Sequence, residues 1–551
     1  MIVYQVFTRL FGNDRIQCVP NGTKAQNGCG KMSDFTHKAL EEIRSLGATH
    51  IWFTGVIEHA TQTDYSAYGI TPDHPDVVKG KAGSAYAVKD YFDVDPDLAD
   101  KVPSRMKEFQ NLVSRSHRAG LKVITDFVPN HVARQYHSDV CPQGEEDLGE
   151  CDDVHVGFSN RNNFYYLPGE SLHLDNIEPG SSYHEEPAKV TGNDVFSAWP
   201  GRNDWYETVK LNYGIDYCGG RVGYFSPVPD TWSKMCRILL FWAAKGIDGF
   251  RCDMAEMVPV EFWEWVIPQV KKAFPGIVFI AEVYNPAEYR NYIRRGHFDY
   301  LYDKVGLYDT LKAVAQGNAS AQAVTASWQQ TDDIRSHMLN FLENHDEQRI
   351  ASDFFVGNAL KGRAPLLVSA LMNTNPFMLY FGQELGERGM DAEGFSGLDG
   401  RTTIFDYWSV DTIRRWRNKG TFDGSLLTAE EQALRQFYST VLHIKEQEPA
   451  FAEGAFFDLM YRNPSIHQQY IFARKGKKHI MLVVANFSET EQQLQINLPS
   501  HLFQHWGIKE KNGCPAVDLL TGGRHRFDLN SGKALTVTVP ALGGCVFKIN
   551  T

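Results

Sequence analysis

From residue 1 to about 430, short apolar runs alternate with amphipathic stretches. Apolar runs of four to eight residues read as buried strands, and apolar positions three and four apart read as one face of a helix. On that rule strands fall near residues 4–7, 49–54, 121–128, 247–253, 277–283, 298–302, 338–341 and 376–381. Between the first two, Ser33 is placed to cap a helix that turns Phe35, Leu40, Ile43 and Leu46 inward. Pro103 and Ser104 open a further helix with Met106, Phe109, Leu112 and Val113 inward, and Gly120 stops it. Residues 426–447 read as the last helix of the series.

Eight strands with helices between them predict an α/β fold, a closed (β/α)8 TIM barrel, although an open doubly wound sheet gives much the same periodicity. The polar residues favour the barrel. Asp126, Arg251, Asp253, Glu282, Asn344, His345 and Asp346 all fall at or just after strand C-termini, the end on which barrels assemble their sites. Two stretches break the rhythm. Residues 132–234 are loop-rich and too long for a simple connection, which predicts a subdomain inserted after strand 3; residues 450–551 are β-rich and predict a C-terminal antiparallel β-sandwich. The expected division is barrel over 1–131, insertion over 132–234, barrel again over 235–449, and sandwich over 450–551.

Composition narrows the partners. A net charge of −12 argues against nucleic acid or an anionic membrane surface, and a neutral substrate fits better. Aromatic residues make up 13% of the chain, and their flat apolar faces suit stacking on sugar rings, although many must be plain core. Nine cysteines are scattered without metal-type spacing and read as mostly reduced thiols; Cys18 with Cys29, or Cys141 with Cys151, is close enough in sequence to close a small loop. No signal peptide or membrane span precedes the first strand. A cytoplasmic location is expected if the N-terminus is native, and a periplasmic or secreted one if a leader has been removed.

The chemistry gathers on Gly249-Phe250-Arg251-Cys252-Asp253. Strand alternation puts Arg251 and Asp253 on one side, where a positive neighbour keeps a carboxylate ionised and ready as a nucleophile. A strand-end Asp alone more often caps the following helix. Here the pattern recurs in Asp126-Phe127-Val128-Pro129-Asn130-His131, Ile280-Ala281-Glu282-Val283 and Phe341-Leu342-Glu343-Asn344-His345-Asp346, with softer echoes at 86–91 and 380–384. In this order the four motifs resemble those of the α-amylase family, glycoside hydrolase family 13.

That resemblance implies an enzyme in which Asp253 is the nucleophile, Glu282 the general acid/base and Asp346 a third carboxylate that grips and distorts the sugar. Acetal cleavage needs one protonated carboxyl beside an ionised one. The apolar strand before Glu282 is expected to raise that carboxyl, and Arg251 to keep Asp253 charged. The resemblance further gives His131 and His345 to sugar hydroxyls, Tyr86 to a stacking platform with Asp90 nearby, Asp126 to bracing the mouth, and Asp399 and Arg401 to sugar contact. Trp199, Trp205, Tyr206 and Tyr213 are candidate cleft aromatics, weighed evenly against core packing.

Three positions depart from the family pattern. Glu256-Met257 stands where many relatives carry Lys-His, and Ser84 stands where a His is usual. Asn130 matches a family calcium ligand, so structural calcium is expected as possible there, while the loop 21–34 lacks clustered carboxylates and the chemistry itself requires no cofactor. The expected activity is retaining hydrolysis of α-1,4-glucosidic bonds in starch, glycogen or malto-oligosaccharides. α-Glucan transglycosylation, a cyclomaltodextrinase-type activity and a non-catalytic carbohydrate-binding barrel are the alternatives.

Overall fold

A computed structural model describes residues 1–551. Eight parallel strands close a barrel: β1 (Ile2–Phe7), β2 (His50–Thr54), β3 (Lys122–Phe127), β4 (Gly249–Cys252), β5 (Val278–Ala281), β6 (Tyr300–Tyr302), β7 (Met338–Phe341) and β8 (Phe377–Tyr380). Each strand pairs with its neighbours in sequence, and β8 closes on β1 through Ile2 opposite Phe377. Closure explains the near-continuous apolar runs, because each strand is covered on both faces. Inside the barrel lie Val3, Trp52, Ile124, Ile280, Tyr302, Leu339, Phe341 and Met378. Alternate residues face the helices outside.

The helix after β1 runs His37–Ser45 and is capped by Thr36, whose side chain accepts from the Ala39 amide. Ser33, the expected cap, sits instead in a short 3-10 turn, Met32–Asp34. That turn ends the loop before the true cap, and Thr36 lies three residues ahead of the amide it satisfies. The helix over Arg105–Arg118 stops before Gly120, which takes a φ of +79°. The last barrel helix, Ala429–Gln447, begins at a capping box between Thr428 and Glu431.

The segment after β3 is held by short antiparallel pairs: His131–Ala133 with Thr208–Lys210, Tyr166–Leu167 with Ala188–Lys189, and Ile215–Asp216 with Val222–Gly223. The next barrel helix, Asp230–Ala243, starts four residues inside the stretch expected to belong to the insertion, because Pro229 closes the loop ahead of an acidic first turn.

The C-terminal region carries a six-stranded antiparallel sheet that includes Gln469–Lys475, His479–Asn486 and Gly543–Asn550. A second pair, Gln492–Ile496 with Leu535–Val539, completes the sandwich. A barrel helix, Arg363–Leu371, packs on this sheet so closely that a Cβ on Gly544 would lie 2.4 Å from the Leu367 side chain. All nine cysteines are free, in keeping with the reading of reduced thiols, and Cys18–Cys29 and Cys141–Cys151 do not pair. No helix is long and apolar enough to cross a membrane.

Candidate active site

At the C-terminal mouth of the barrel a cavity of about 420 Å³ is lined by Asp253, Glu282 and Asp346 together with Tyr86, His131 and Trp205. The three carboxylates arrive from the ends of β4, β5 and β7. Arg251, fully buried on β4 opposite Asp126 of β3 and Ile280 of β5, stands between the first two. Its Nη1 donates to Asp253 Oδ1 at 2.6 Å, its Nη2 lies 2.7 Å from Glu282 Oε2, and Asp126 Oδ1 stands 3.4 Å away. Its Nε donates to the Tyr302 hydroxyl at 3.1 Å. The guanidinium therefore stands between the two carboxyls expected to do the chemistry, hydrogen-bonded to Asp253 through Nη1 and ion-paired with Glu282 through Nη2.

The electrostatics depart from expectation in two respects: Arg251 stands beside Glu282 as well as Asp253, and burial lifts the Asp253 carboxyl that Arg251 is expected to keep ionised. Arg251 was assigned to Asp253 alone, with burial left to protonate Glu282, but the guanidinium grips both. Glu282 is also held by the Met254 amide at 2.8 Å on Oε2 and the Tyr284 hydroxyl at 2.6 Å on Oε1. Burial pushes the Asp253 carboxyl well up, Arg251 opposes the shift, and the neighbouring Glu282 and Asp346 charges add to it.

Asp346 is different. Its side chain is 39% exposed in the cavity and lies 3.0 Å from His345 Nε2. Desolvation works to raise its carboxyl, but His345 and then Arg251 and Arg401 outweigh it and hold it down at about 2. The other ring nitrogen of His345 is fixed by Gln5 at 2.8 Å, and Tyr86 stacks on the imidazole with ring centroids 4.9 Å apart. Tyr86 is thereby locked as a flat wall of the cavity. His131 lines the opposite side under Trp205, ring centroids 5.0 Å apart; burial, then the Lys210 charge, push it down to about 3, so the imidazole is neutral.

Asp126 accepts from the Trp52 indole at 2.9 Å and the Tyr86 hydroxyl at 3.3 Å, and does not line the cavity. Ser84 does line it, and a Cβ on the preceding Gly83, at a φ of +77°, would collide with the Ala60 carbonyl oxygen. Only glycine turns the chain there toward Tyr86.

Several expected residues lie elsewhere. Asp90 is fully buried and outside the cavity lining, accepting from Ser138 Oγ at 2.8 Å and the Phe92 amide at 2.8 Å. Arg401 is half-exposed beside Asp399 at 3.5 Å and reaches the cavity only through its charge on Asp346. Tyr206 and Tyr213 are core, the latter with its hydroxyl on the Pro129 carbonyl at 2.7 Å. Trp199 is exposed and stacked on His173, outside the cavity.

Asn130 does not fit a calcium ligand. Its Oδ1 accepts from Lys210 Nζ at 2.8 Å, and that ammonium also pairs with Asp194 at 2.5 Å. The Asn130 amide nitrogen donates to the Gly192 carbonyl. A buried lysine already supplies positive charge between those oxygens, and a second cation there meets repulsion.

Sequence reasoning missed Tyr284, Met254, Ile404, Phe405 and the Lys79–Glu207 ion pair at 2.9 Å, all lining the cavity. Tyr284 was within reach, because alternation after Glu282 returns it to the same side. Met254 was not: its left-handed φ of +43°, which aims the amide at Glu282, has no sequence signal in a methionine.

With this geometry in place, the chain compares as follows. The family described as "Alpha amylase, catalytic domain" matches residues 5–431. An alpha-amylase of Streptomyces lividans is 24% identical over 479 residues, covering 77% of this chain and 47% of that protein. Neopullulanase 2 of Thermoactinomyces vulgaris is 22% identical over 404 residues, covering 70% of this chain and 57% of that protein. The chain thus spans about half the length of these two relatives. In fold it resembles the crystal structure of a maltogenic alpha-amylase from Thermotoga neapolitana, with a TM-score of 0.64 at 18% identity, covering 100% of this chain and 99% of that one. On the match across its barrel, this chain belongs to the alpha-amylase family.

Proposed function

We propose that the chain is a retaining glycoside hydrolase that cleaves α-1,4-glucosidic bonds in starch, glycogen or malto-oligosaccharides. The observation that carries this reading is the single Arg251 fork between Asp253 and Glu282. It favours the short carboxyl separation, roughly 5 to 5.5 Å, that retention requires over the wider gap that admits a water.

The Asp253 carboxylate attacks the anomeric carbon as Glu282 gives its proton to the departing glycosidic oxygen. A glycosyl ester on Asp253 results. Water then attacks the same carbon, Glu282 takes its proton, and Asp253 leaves as carboxylate. The step needs Asp253 as carboxylate and Glu282 as acid, and sugar binding excludes water, which penalises two adjacent negative charges. Asp346, ionised and partly open to the cavity, grips sugar hydroxyls, and Tyr86 supplies the flat face beneath the ring.

Transfer to a sugar hydroxyl in place of water is the second reading, favoured by the apolar surfaces of Met254, Trp205 and Phe405 around the carboxylates. Maltoheptaose digestion followed by NMR separates the outcomes. Shorter products released first as α-anomers are expected; first release of β-anomers would overturn retention, and accumulation of oligomers longer than the substrate would make transfer the main reaction. Glu282→Gln should lower kcat by about 10³-fold or more while the fold is kept. Activity that survives this change places the acid elsewhere.

A further inference from the structure

Asp90, outside the cavity lining, belongs to a second group of carboxylates. Glu58 sits on the strand Ile57–His59, paired with Val88–Val94, which carries Asp90 and Asp93. The register slips on both sides of Glu58, and such irregularities re-aim side chains. As a result Glu58, Asp90 and Asp93 each offer an oxygen to one point, all within 4.8 Å of one another. Oxygens coordinated to one calcium-sized ion at about 2.4 Å lie no farther apart than that.

The three side chains are buried, with exposures of 1%, 0% and 4%. Asp93 is paired with Arg105, and Asp90 is supported by Ser138, Phe92 and, at 3.4 Å, the Val140 amide. Glu58 has no such support: its Oε2 is buried and takes no hydrogen bond. The nearby Lys89 ammonium is bonded to the Thr71 carbonyl and Asp73. Three carboxyls meet one guanidinium in a dry site, and a buried carboxylate without a partner is costly to keep charged.

We propose that Glu58, Asp90 and Asp93 bind a hard divalent cation of calcium size. All-oxygen ligands exclude soft metals, and three inward carboxylates suit calcium better than magnesium, which keeps more of its water. Through Ser138 and Val140, which both bond Asp90, the ion ties the segment entering the inserted subdomain to the hairpin whose lead-in carries Tyr86. It is a structural clamp behind the catalytic mouth, and it holds whether or not the proposed hydrolysis does.

The test uses the full chain, stripped with a chelator and titrated with calcium by calorimetry and with terbium by luminescence. One equivalent is expected to bind and to raise Tm. Glu58→Gln should weaken binding by more than about tenfold. Equal affinity in the variant, or no binding by the wild-type chain, would overturn the proposal. If the variant does not fold, anomalous scattering from manganese-soaked wild-type crystals decides: density among the three carboxylates supports the site, and density only elsewhere sinks it.

Discussion

At the scale of single residues, the cavity works by unequal treatment of three acids. Asp253 and Glu282 share a guanidinium, whereas Asp346 leans on a histidine, which holds its carboxyl down at about 2. The depressed Asp346 carboxyl sets an acid limit. Its charge is present above its ordinary range near 3.9 and is lost only as pH falls through about 2, so the charge and whatever stability it lends persist into acid. His345→Phe keeps a ring against Tyr86 but removes the hydrogen bond, and the Asp346 carboxyl should rise toward its usual range. The Asp346 carboxyl, followed by NMR, should then titrate at higher pH. A titration that stays at about 2 would show that His345 does not hold it down.

At the scale of elements, the strands were legible because closure buries both faces, and each polar residue that interrupts an apolar run marks the strand end. The motif residues of β3, β4, β5 and β7 could therefore be placed at one mouth from alternation and length alone. Asp90 could not: the resemblance sets it near Tyr86, and the bulged pairing between Ile57–His59 and Val88–Val94 gathers it with Glu58 and Asp93 instead. Ser33 misled for a similar reason: a cap residue in the right composition sat in a turn, and only backbone geometry shows that Thr36 does the capping. The turn after β4 is the most informative local departure. Met254 at a φ of +43° directs its amide to Glu282, and a β-branched residue tolerates that conformation poorly. Met254→Val should cost about 1 to 2 kcal/mol and lower kcat. Met254→Gly should leave stability within about 1 kcal/mol, since relief of strain offsets the added freedom of the unfolded chain. Melting curves and kcat for the pair check this, and a Val variant as stable and as active as the Gly variant would remove the turn from the argument.

At the scale of the molecule, the inserted segment must be held against the barrel for the cavity to have two walls. His131, Thr208 and Glu207 line one side, and the strand pair His131–Ala133 with Thr208–Lys210 that carries them ends at Lys210. That lysine is buried on Asn130 and Asp194, so an internal ammonium joins barrel and insertion where calcium was expected. No sequence pattern links Asn130 to a lysine 80 residues away, and a ligand read from a motif says nothing about what occupies its other side. Lys210→Met leaves the Asn130 oxygen without its donor and Asp194 without its cation. Because Asp194 is 31% exposed, the expected cost is about 1 to 3 kcal/mol, below the range for a fully buried pair. Calorimetry should show a Tm lower by a few degrees, with KM raised at temperatures where the variant is folded, as the His131 wall loosens. Millimolar calcium should raise Tm equally in variant and wild type, since it would act at Glu58 and not at this junction. A selective recovery of the variant by calcium would return Asn130 to the role of a metal ligand and make Lys210 a substitute for an ion.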